Sequence, residues 1–332
     1  MAMDNYAPIF NITSDILNLV YEIAIDIQRI DIIHEQALLM SLRKKNRIKT
    51  IHSSLWIEAN SLSLEQVTDI VNGKRVSGPK KDILEVKNAI IAYDELLGCN
   101  PYYEKDLLKQ HSLLMKGLIE DAGKYRNGGI GVFSGDVPVH VAPPPSRVPI
   151  LVSLLLDWTK KAELPQIVKS CIFHYEFEFI HPFTDGNGRM GRMWQTLLLY
   201  QENSFFAWLP VETIIAKKQQ EYYQAIRRST QNNDSGIFTL FMLKAIKESI
   251  SEFRISSQNA GVNAGVNAGV KLTKTQEKII SLIIQNSSIS QEDIAKRLKI
   301  DESTVYRNIE KLKLYKILER HGSDKIGFWS VK

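Results

Sequence analysis

Cysteine is nearly missing from this chain. Cys99 and Cys171 are the two cysteines among 332 residues. They supply no disulfide framework, which excludes a small stapled secreted fold and fits a reducing compartment. Long apolar runs are missing too. None reaches the ~18 residues of a membrane span. The opening MAMDNYAPIF lacks the basic and apolar regions of a secretory signal. These absences lead to the expectation of a cytoplasmic protein with no membrane partner. Excess charge is missing from most of the chain: residues 1–270 hold 29 Lys and Arg against 29 Asp and Glu. The surplus lies in residues 271–332, with 13 basic and 8 acidic side chains, a net of +5. Disorder is excluded by the hydrophobic content of 44%. The length implies roughly two to three domains.

Before residue 258 the pattern is helical almost throughout. Ile16, Leu19, Val20, Ile23 and Ile27 recur at helical spacing behind Ser14 and Asp15, a start signal. Similar patterns predict helices over 62–71, 80–97, 104–118, 146–161, 211–230 and 236–253. Between 123 and 148 the period changes. Glycine-rich turns and Pro143, Pro144 and Pro145 exclude a helix there. VFSGDVPVHV has short β-prone runs about a Gly-Asp turn and predicts a small hairpin.

The densest chemistry lies in HPFTDGNGRMGR, His181 to Arg192. FHYEFEFI before it and RMGRMWQTLLLY after it read as helices, so the motif is a tight loop and GNG opens the second helix. A helix N-terminus offers backbone N–H groups and the positive end of a dipole, which favours phosphate. Gly186 and Gly188 leave the backbone open to an anion. Asp185 is a carboxylate suited to Mg²⁺ shared with phosphate oxygens. Arg189 and Arg192 share a helix face and suit phosphate as forked donors. His181 is the side chain here that accepts a proton near neutral pH.

This segment resembles the signature H-P-F-x-[D/E]-G-N-G-R-x-x-R of the Fic family, and every fixed position is matched. The resemblance implies transfer of AMP from ATP to a hydroxyl of a protein side chain, with release of pyrophosphate. His181 would deprotonate the target hydroxyl. Asp185 would hold Mg²⁺ between the α- and β-phosphates. Gly186, Asn187 and Gly188 would form the anion hole. Arg189 would meet the β-phosphate and Arg192 the γ-phosphate. The intact GNG argues for AMP transfer over the chemistry of the related Doc-type kinases.

SLWIEAN, Ser54 to Asn60, resembles the inhibitory motif [S/T]-x-x-x-E-[G/N] of the same family. Ser54 and Glu58 are four apart, on one face of a short helix. The resemblance implies that Glu58 pairs with Arg192 and displaces the γ-phosphate. Ala59 departs from the pattern, with Asn60 following. The hairpin resembles the family's flap, which clamps a target peptide by strand addition. Val132, Phe133, Val137 and Val139 are its candidate docking residues. The likeness covers about residues 5–255.

NAGV repeats three times over 259–270, a small-residue composition that suggests a linker. The segment after the repeat looks like a winged helix-turn-helix: helices over 273–287, 290–300 and 301–316, then a two-stranded wing about 321–325. Val305, Ile309 and Leu312 would face inward. Ser303, Thr304, Arg307, Asn308 and Lys311 would face a DNA major groove.

The expected fold class is therefore mainly α: an all-helical Fic fold with a β-hairpin flap, plus a C-terminal winged helix. The expected domains are an N-terminal helical region over 1–100, a Fic core over 101–257, a linker over 258–270 and a winged helix over 271–332. The expected function is a protein adenylyltransferase that modifies a target protein and itself, with ATP as substrate and Mg²⁺ as cofactor, autoinhibited by Glu58. Two other readings stay open: a DNA-binding regulator whose Fic body senses nucleotide, and an enzyme that removes AMP. Duplex DNA and a second copy of the chain remain open as partners.

Overall fold

The computed structural model describes residues 6–31, 36–134, 137–266, 273–285, 287, 289–314, 317–321 and 327–331. The chain is mainly helical. It divides into two compact units. The first holds Asn46–Ile250 with the N-terminal segment up to Asp26, and the second holds Ile27–Lys45 with Ser251–Lys332.

Helices α1 (Ser14–Asp31), α2 (Gln36–Ile57), α3 (Leu64–Val71), α4 (Lys80–Glu95) and α5 (Glu104–Leu114) come first. A hairpin of β1 (Gly131–Ser134) and β2 (Val137–Val141) is next. Then come α6 (Val148–Lys161), α7 (Gln166–Ile180), α8 (Asn187–Glu202), α9 (Val211–Lys217), α10 (Gln219–Asn232) and α11 (Gly236–Val266). Helix α7 buries every residue except Glu176 and Phe179. A helix buried nearly all round lies inside its domain, and its buried polar groups need partners there. Helix α8 is similarly enclosed through Met190, Met193, Trp194, Leu197 and Leu198. One hydrophobic core runs from Ile48 on α2 through Val86, Leu107 and Val152 to Phe173, Phe177, Trp194 and Leu198. It crosses the division expected at residue 100. The α7–α8 loop is thereby held between two rigid, buried helices.

Several expected boundaries change. The helix starting at Leu62 starts at Leu64 instead, because Ser63 accepts the Gln66 N–H and the Gln66 side chain accepts the Ser63 N–H. The helix expected to reach Leu118 ends at Leu114, ahead of Gly117 with φ 72°. The single helix over 211–230 is two, broken at Lys218 with no Gly or Pro to announce it. The short helix around Ser54 is the last turn of the 22-residue α2, with Glu58 just beyond it. Ile48, Ile51 and Leu55 are its buried stripe.

The expected linker is corrected as well. Helix α11 continues to Val266, through the first eight residues of the NAGV repeat. That repeat contains no Pro, and an isolated Gly costs a helix only about 1 kcal/mol, so an established helix can propagate through it. Residues 267–270 of the repeat lie outside the described set.

Beyond them stand α12 (Lys274–Gln285), α13 (Gln291–Leu298) and α14 (Glu302–Leu314), then β3 (Leu318–His321) and β4 (Phe328–Val331). The two strands pair antiparallel, from Leu318↔Val331 to His321↔Phe328. Ser290 caps α13 by accepting the Asp293 N–H at 3.0 Å. Ile279, Ile283, Ile294, Val305, Ile309, Leu312, Leu318 and Trp329 form a separate core. This is the winged helix-turn-helix architecture. The expected wing turn at 322–325 lies outside the described residues.

Candidate active site

The loop from His181 to Gly186 begins where α7 can go no further. His181 takes a left-handed conformation, φ 51° and ψ 61°, and Pro182 bars another helical turn. A non-glycine residue there carries strain on the order of 1 kcal/mol, which the surroundings have to hold. Arg126 does so. Its Nε donates to the His181 carbonyl at 2.7 Å and its Nη2 to the Ile180 carbonyl at 3.3 Å. The same guanidinium donates to Gly128 O at 2.9 Å and Pro143 O at 2.6 Å, on either side of the hairpin. A single buried cation thus ties the hairpin's two ends to the backbone of His181.

The far end of the loop is equally constrained. The Asn187 side chain accepts the Phe183 N–H at 2.9 Å and donates to the Phe183 carbonyl at 2.8 Å. It closes the loop, so only the backbone of Asn187 is left to meet an anion. His111 accepts the Gly123 N–H at Nδ1, which leaves Nε2–H to donate to the Asp185 carbonyl at 3.0 Å. Burial lowers His111 to about 4, so the ring is neutral. It stacks on Phe183 at 3.6 Å. Gly186 has φ 85°, and a β-carbon there would lie 2.7 Å from the Met115 sulfur.

Helix α8 therefore opens under a preformed loop, with the N–H groups of its first turn as orphan donors of the kind that bind anions. Arg189 is buried and held by two carboxylates, Asp185 at 3.0 Å and Glu85 at 3.2 Å. Asp185 is half-exposed at the loop surface. Among the described residues no group of three His, Cys, Asp or Glu side chains could hold a metal by itself. A lone exposed carboxylate suits Mg²⁺ that takes its remaining ligands from phosphate and water.

Glu58 and Arg192 meet, although 134 residues separate them. Arg192 Nη2 donates to Glu58 Oε1 at 2.8 Å and to the Ser54 carbonyl at 2.9 Å, and Nε donates to Ser54 Oγ at 3.1 Å. The arginine side chain is 1% exposed and the glutamate 32%, so the carboxylate covers the guanidinium from the open side. Burial opposes the charge on Arg192, and Glu58, Tyr222 and Glu178 together more than offset it. Glu58 Oε1 also lies against Gly188, where any β-carbon would overlap it. Arg192 Nη1 points to the same spot, buried and with no hydrogen-bond partner. A carboxylate oxygen thus rests on the first turn of α8 beside an unsatisfied guanidinium N–H, a seat whose chemistry suits a phosphate oxygen.

The helix end that presents Glu58 is a Schellman cap. Asn60 N–H donates to Leu55 O at 3.1 Å and Ala59 N–H to Trp56 O at 3.0 Å. Ala59 sits at the left-handed position, φ 64°, where glycine is the usual residue. Asn60 then donates to Glu85 Oε2 at 2.8 Å. Ala59→Gly is expected to raise unfolding free energy by about 1 kcal/mol, since relief of the left-handed strain exceeds the added unfolded-state entropy. Urea denaturation of both proteins checks this, and a lower midpoint for the glycine variant would refute it.

Val132, Phe133, Val137 and Val139 lie in the hairpin, whose register runs Gly131↔Val141, Val132↔His140, Phe133↔Pro138 and Ser134↔Val137 with an irregularity after Val132. Their side chains, and the Gly135–Asp136 turn, lie outside the described set. In the second unit, Val305, Ile309 and Leu312 of α14 are buried. Ser303, Arg307 and Lys311 are exposed, and Thr304 and Asn308 are half-buried. Arg307 Nε donates to Ser303 O at 3.2 Å and Asn308 Nδ2 to Thr304 O at 2.8 Å.

Sequence reasoning missed four residues around the loop: Glu85, His111, Arg126 and Glu178. Glu178 stood in plain view, three positions before His181. The other three are far away in the chain and carry no local signal.

Helices around a glycine-containing loop at a helix N-terminus, together with a winged helix-turn-helix unit, define the class of protein. A Fic/DOC family profile matches residues 101–199, and a winged helix-turn-helix DNA-binding profile matches residues 272–315. The crystal structure of a Fic family protein from Desulfovibrio desulfuricans G20 is 39% identical, covers 98% of this chain and is covered to 98%, with a TM-score of 0.75. The chain belongs to the Fic/DOC family. Protein adenylyltransferase Fic of Nematostella vectensis is 29% identical over 239 residues, 65% of this chain and 52% of that protein. Protein adenylyltransferase fic-1 of Caenorhabditis briggsae is 27% identical over 259 residues, 74% of this chain and 48% of that protein. The chain thus spans about half the length of these curated relatives. Fic-1 from C. elegans, at 21% identity and a TM-score of 0.63, shares the fold. Among the described residues no helix is long and apolar enough to cross a membrane.

Proposed function

We propose that this protein transfers AMP from ATP to a side-chain hydroxyl of a target protein and of itself, and that Glu58 restrains it. The observation that carries this reading is the Glu58–Arg192 pair lying on Gly188 at the start of α8. A carboxylate bonded there holds the arginine away from a triphosphate and occupies room its terminal phosphate needs.

The chemistry is set by the loop. His181 accepts the proton of the attacking hydroxyl as oxygen bonds to the α-phosphorus, and pyrophosphate leaves with the electrons of the broken P–O bond. Backbone N–H groups at Gly186, Asn187 and Gly188 face charge that builds on the phosphates. Asp185 would hold Mg²⁺, which would neutralise part of the phosphate charge. The hairpin receives the target's backbone by strand addition, and Arg126 ties that hairpin to the backbone of His181. Intact mass measurement after incubation with ATP and Mg²⁺ tests the reading. Each modification adds one AMP unit, and a Glu58→Gly protein that gains none would sink it.

The second unit is proposed to bind duplex DNA. Residues 271–332 carry the whole surplus of positive charge, and Arg307 and Lys311 extend from the outer face of α14. The full-length protein is expected to bind duplex more weakly as salt rises, because phosphate contacts release counterions. Arg307→Ala or Lys311→Ala is expected to weaken binding. For a phosphate contact, each also lowers the slope of log affinity against log salt by about one. Fluorescence anisotropy over a salt series measures both. Absence of binding at low salt, together with a dimer in sedimentation, would assign the unit to contact between proteins.

A further inference from the structure

Glu178 is a buried carboxylate to which the chemistry above gives no part. It lies on α7, one turn before His181, and is 7% exposed. Burying an ionisable carboxylate costs several kcal/mol unless something answers its charge. Its neighbours on the helix, Phe177 and Ile180, are core residues, and an apolar side chain would pack at 178 without that cost. The carboxylate is also given room. A β-carbon at Gly191 on α8 would lie 3.3 Å from Glu178 Oε1 and 3.0 Å from His174 Cδ2.

The two carboxylate oxygens face different partners. Oε2 lies 4.0 Å from His181 Nδ1, and the backbone carbonyl of Glu178 lies 3.3 Å from the same nitrogen. One residue therefore presents two acceptors to the Nδ1 edge of the ring. Oε1 lies 3.5 Å from Tyr222 Oη and 3.9 Å from His174 Nε2. Tyr222 Oη and His174 Nε2 are 3.1 Å apart, and His174 Nδ1 meets Gln195 Oε1 at 2.6 Å. Burial lowers His174 to about 3, so its ring stays neutral. With its proton on Nδ1 toward Gln195, Nε2 takes the Tyr222 hydroxyl proton. The Tyr222 hydroxyl reaches Glu178 Oε1 only at 3.5 Å, and Arg192 and His181 are the basic side chains that can answer the carboxylate's charge.

We propose that Glu178 is a positioning residue for His181: its backbone carbonyl orients the ring through Nδ1, and its carboxylate stabilises the imidazolium formed when Nε2 takes the target's proton. The inference rests on AMP transfer as the reaction of this site. The proton leaves the hydroxyl oxygen for Nε2 as that oxygen bonds to the α-phosphorus and pyrophosphate departs. Glu178 itself exchanges no proton in the step.

Glu178 is linked to the restraint as well. The groups facing it are His174 and His181 on α7, Arg192 on α8, Tyr222 and Tyr223 on α10, and Glu58 beyond α2. Burial raises Glu178 to about 7, Glu58 adds to the rise, and Arg192 opposes it. Glu58 in place thus disfavours the charged carboxylate. Withdrawal of Glu58 removes one negative neighbour and leaves Arg192 to favour ionisation. The support for His181 is present above the Glu178 pKa and is lost as pH falls through it. Glu58 therefore lies on the phosphate seat and also disfavours the ionised form of Glu178.

The test uses the full chain. Glu178→Gln keeps the shape of the side chain and removes its charge. In a Glu58→Gly background it is expected to lower kcat for self-modification roughly tenfold with KM for ATP unchanged. That is far short of the ~10⁴-fold loss seen when a hydrogen-bonded triad carboxylate is neutralised, because this oxygen stands 4.0 Å from the ring. Glu178→Asp is expected to recover part of the loss. The second readout is the proton NMR titration of His181 without ATP, assigned against His181→Ala. Its midpoint is expected to fall in Glu178→Gln. An unchanged His181 midpoint overturns the proposal, even if kcat drops, because a merely structural role would lower activity without moving that titration. The titration also separates the two claims: if Glu58→Gly protein transfers no AMP, a falling midpoint still establishes the Glu178–His181 pair.

Discussion

The Glu58→Gly protein, given ATP and Mg²⁺, is expected to acquire AMP on itself on the order of 10²-fold faster than the parent. The estimate is the usual penalty for holding a reacting group about 1 Å from its in-line position. In the proposed reading Glu58 imposes that misplacement in two ways. It bonds to Arg192 at 2.8 Å, and its Oε1 lies against Gly188. With glycine at 58, Arg192 keeps its bonds to Ser54 and so stays folded in place. Its charge then turns to the terminal phosphate. Arg192→Ala in the Glu58→Gly background is expected to cancel the gain. Intact mass spectra over a time course measure all three proteins. Equal labelling of the parent and Glu58→Gly would mean that the pair is structural.

His181→Ala in the Glu58→Gly background is expected to slow AMP transfer by ~10²–10⁴-fold, the range for loss of a general base. ATP affinity is expected to stay near that of the Glu58→Gly protein, because the proposed seat consists of α8 N–H groups and Arg192 and not of His181. Radiolabel incorporation gives the first quantity and calorimetric titration the second. Labelling at the undiminished rate would remove His181 from the chemistry. Loss of ATP binding along with the rate would instead mean that the left-handed turn at 181 had collapsed.

These two expectations draw on different amounts of sequence. The residues His181 to Arg192 were legible together because they are contiguous, and because helix-terminus chemistry depends on residues a few positions apart. Glu58 was legible through its resemblance to an inhibitory motif, not through any local rule. The structure adds that Ser54 works through both its hydroxyl and its carbonyl, and that Ala59 carries the left-handed strain that the departure from [G/N] implies. Arg126, His111 and Glu85 were not legible. Each reaches the loop from a separate segment, and a lone polar residue in a helical pattern looks the same whether it faces solvent or a buried carbonyl. The helix break at Lys218 and the run of α11 into the NAGV repeat were misjudged for a related reason. Propensity is a weak prior, and the surroundings of a segment can override it.

The sequence by itself determined the local chemistry of this protein. The α7–α8 loop, its two glycines, its proton acceptor and its arginines, and the amphipathic α14 with Val305, Ile309 and Leu312 inside, all arise from spacings of one to seven residues. Only the tertiary structure decided which distant groups complete that loop. It brought Glu58 and Ser54 to Arg192, Glu85 to Arg189, Arg126 to the His181 carbonyl and Tyr222 to Glu178. The physical reason is that backbone hydrogen bonds and side-chain periodicity act within a turn or two. Meetings across tens of residues are set by how buried helices such as α7 and α8 pack, and by the requirement that each buried charge find its counterpart.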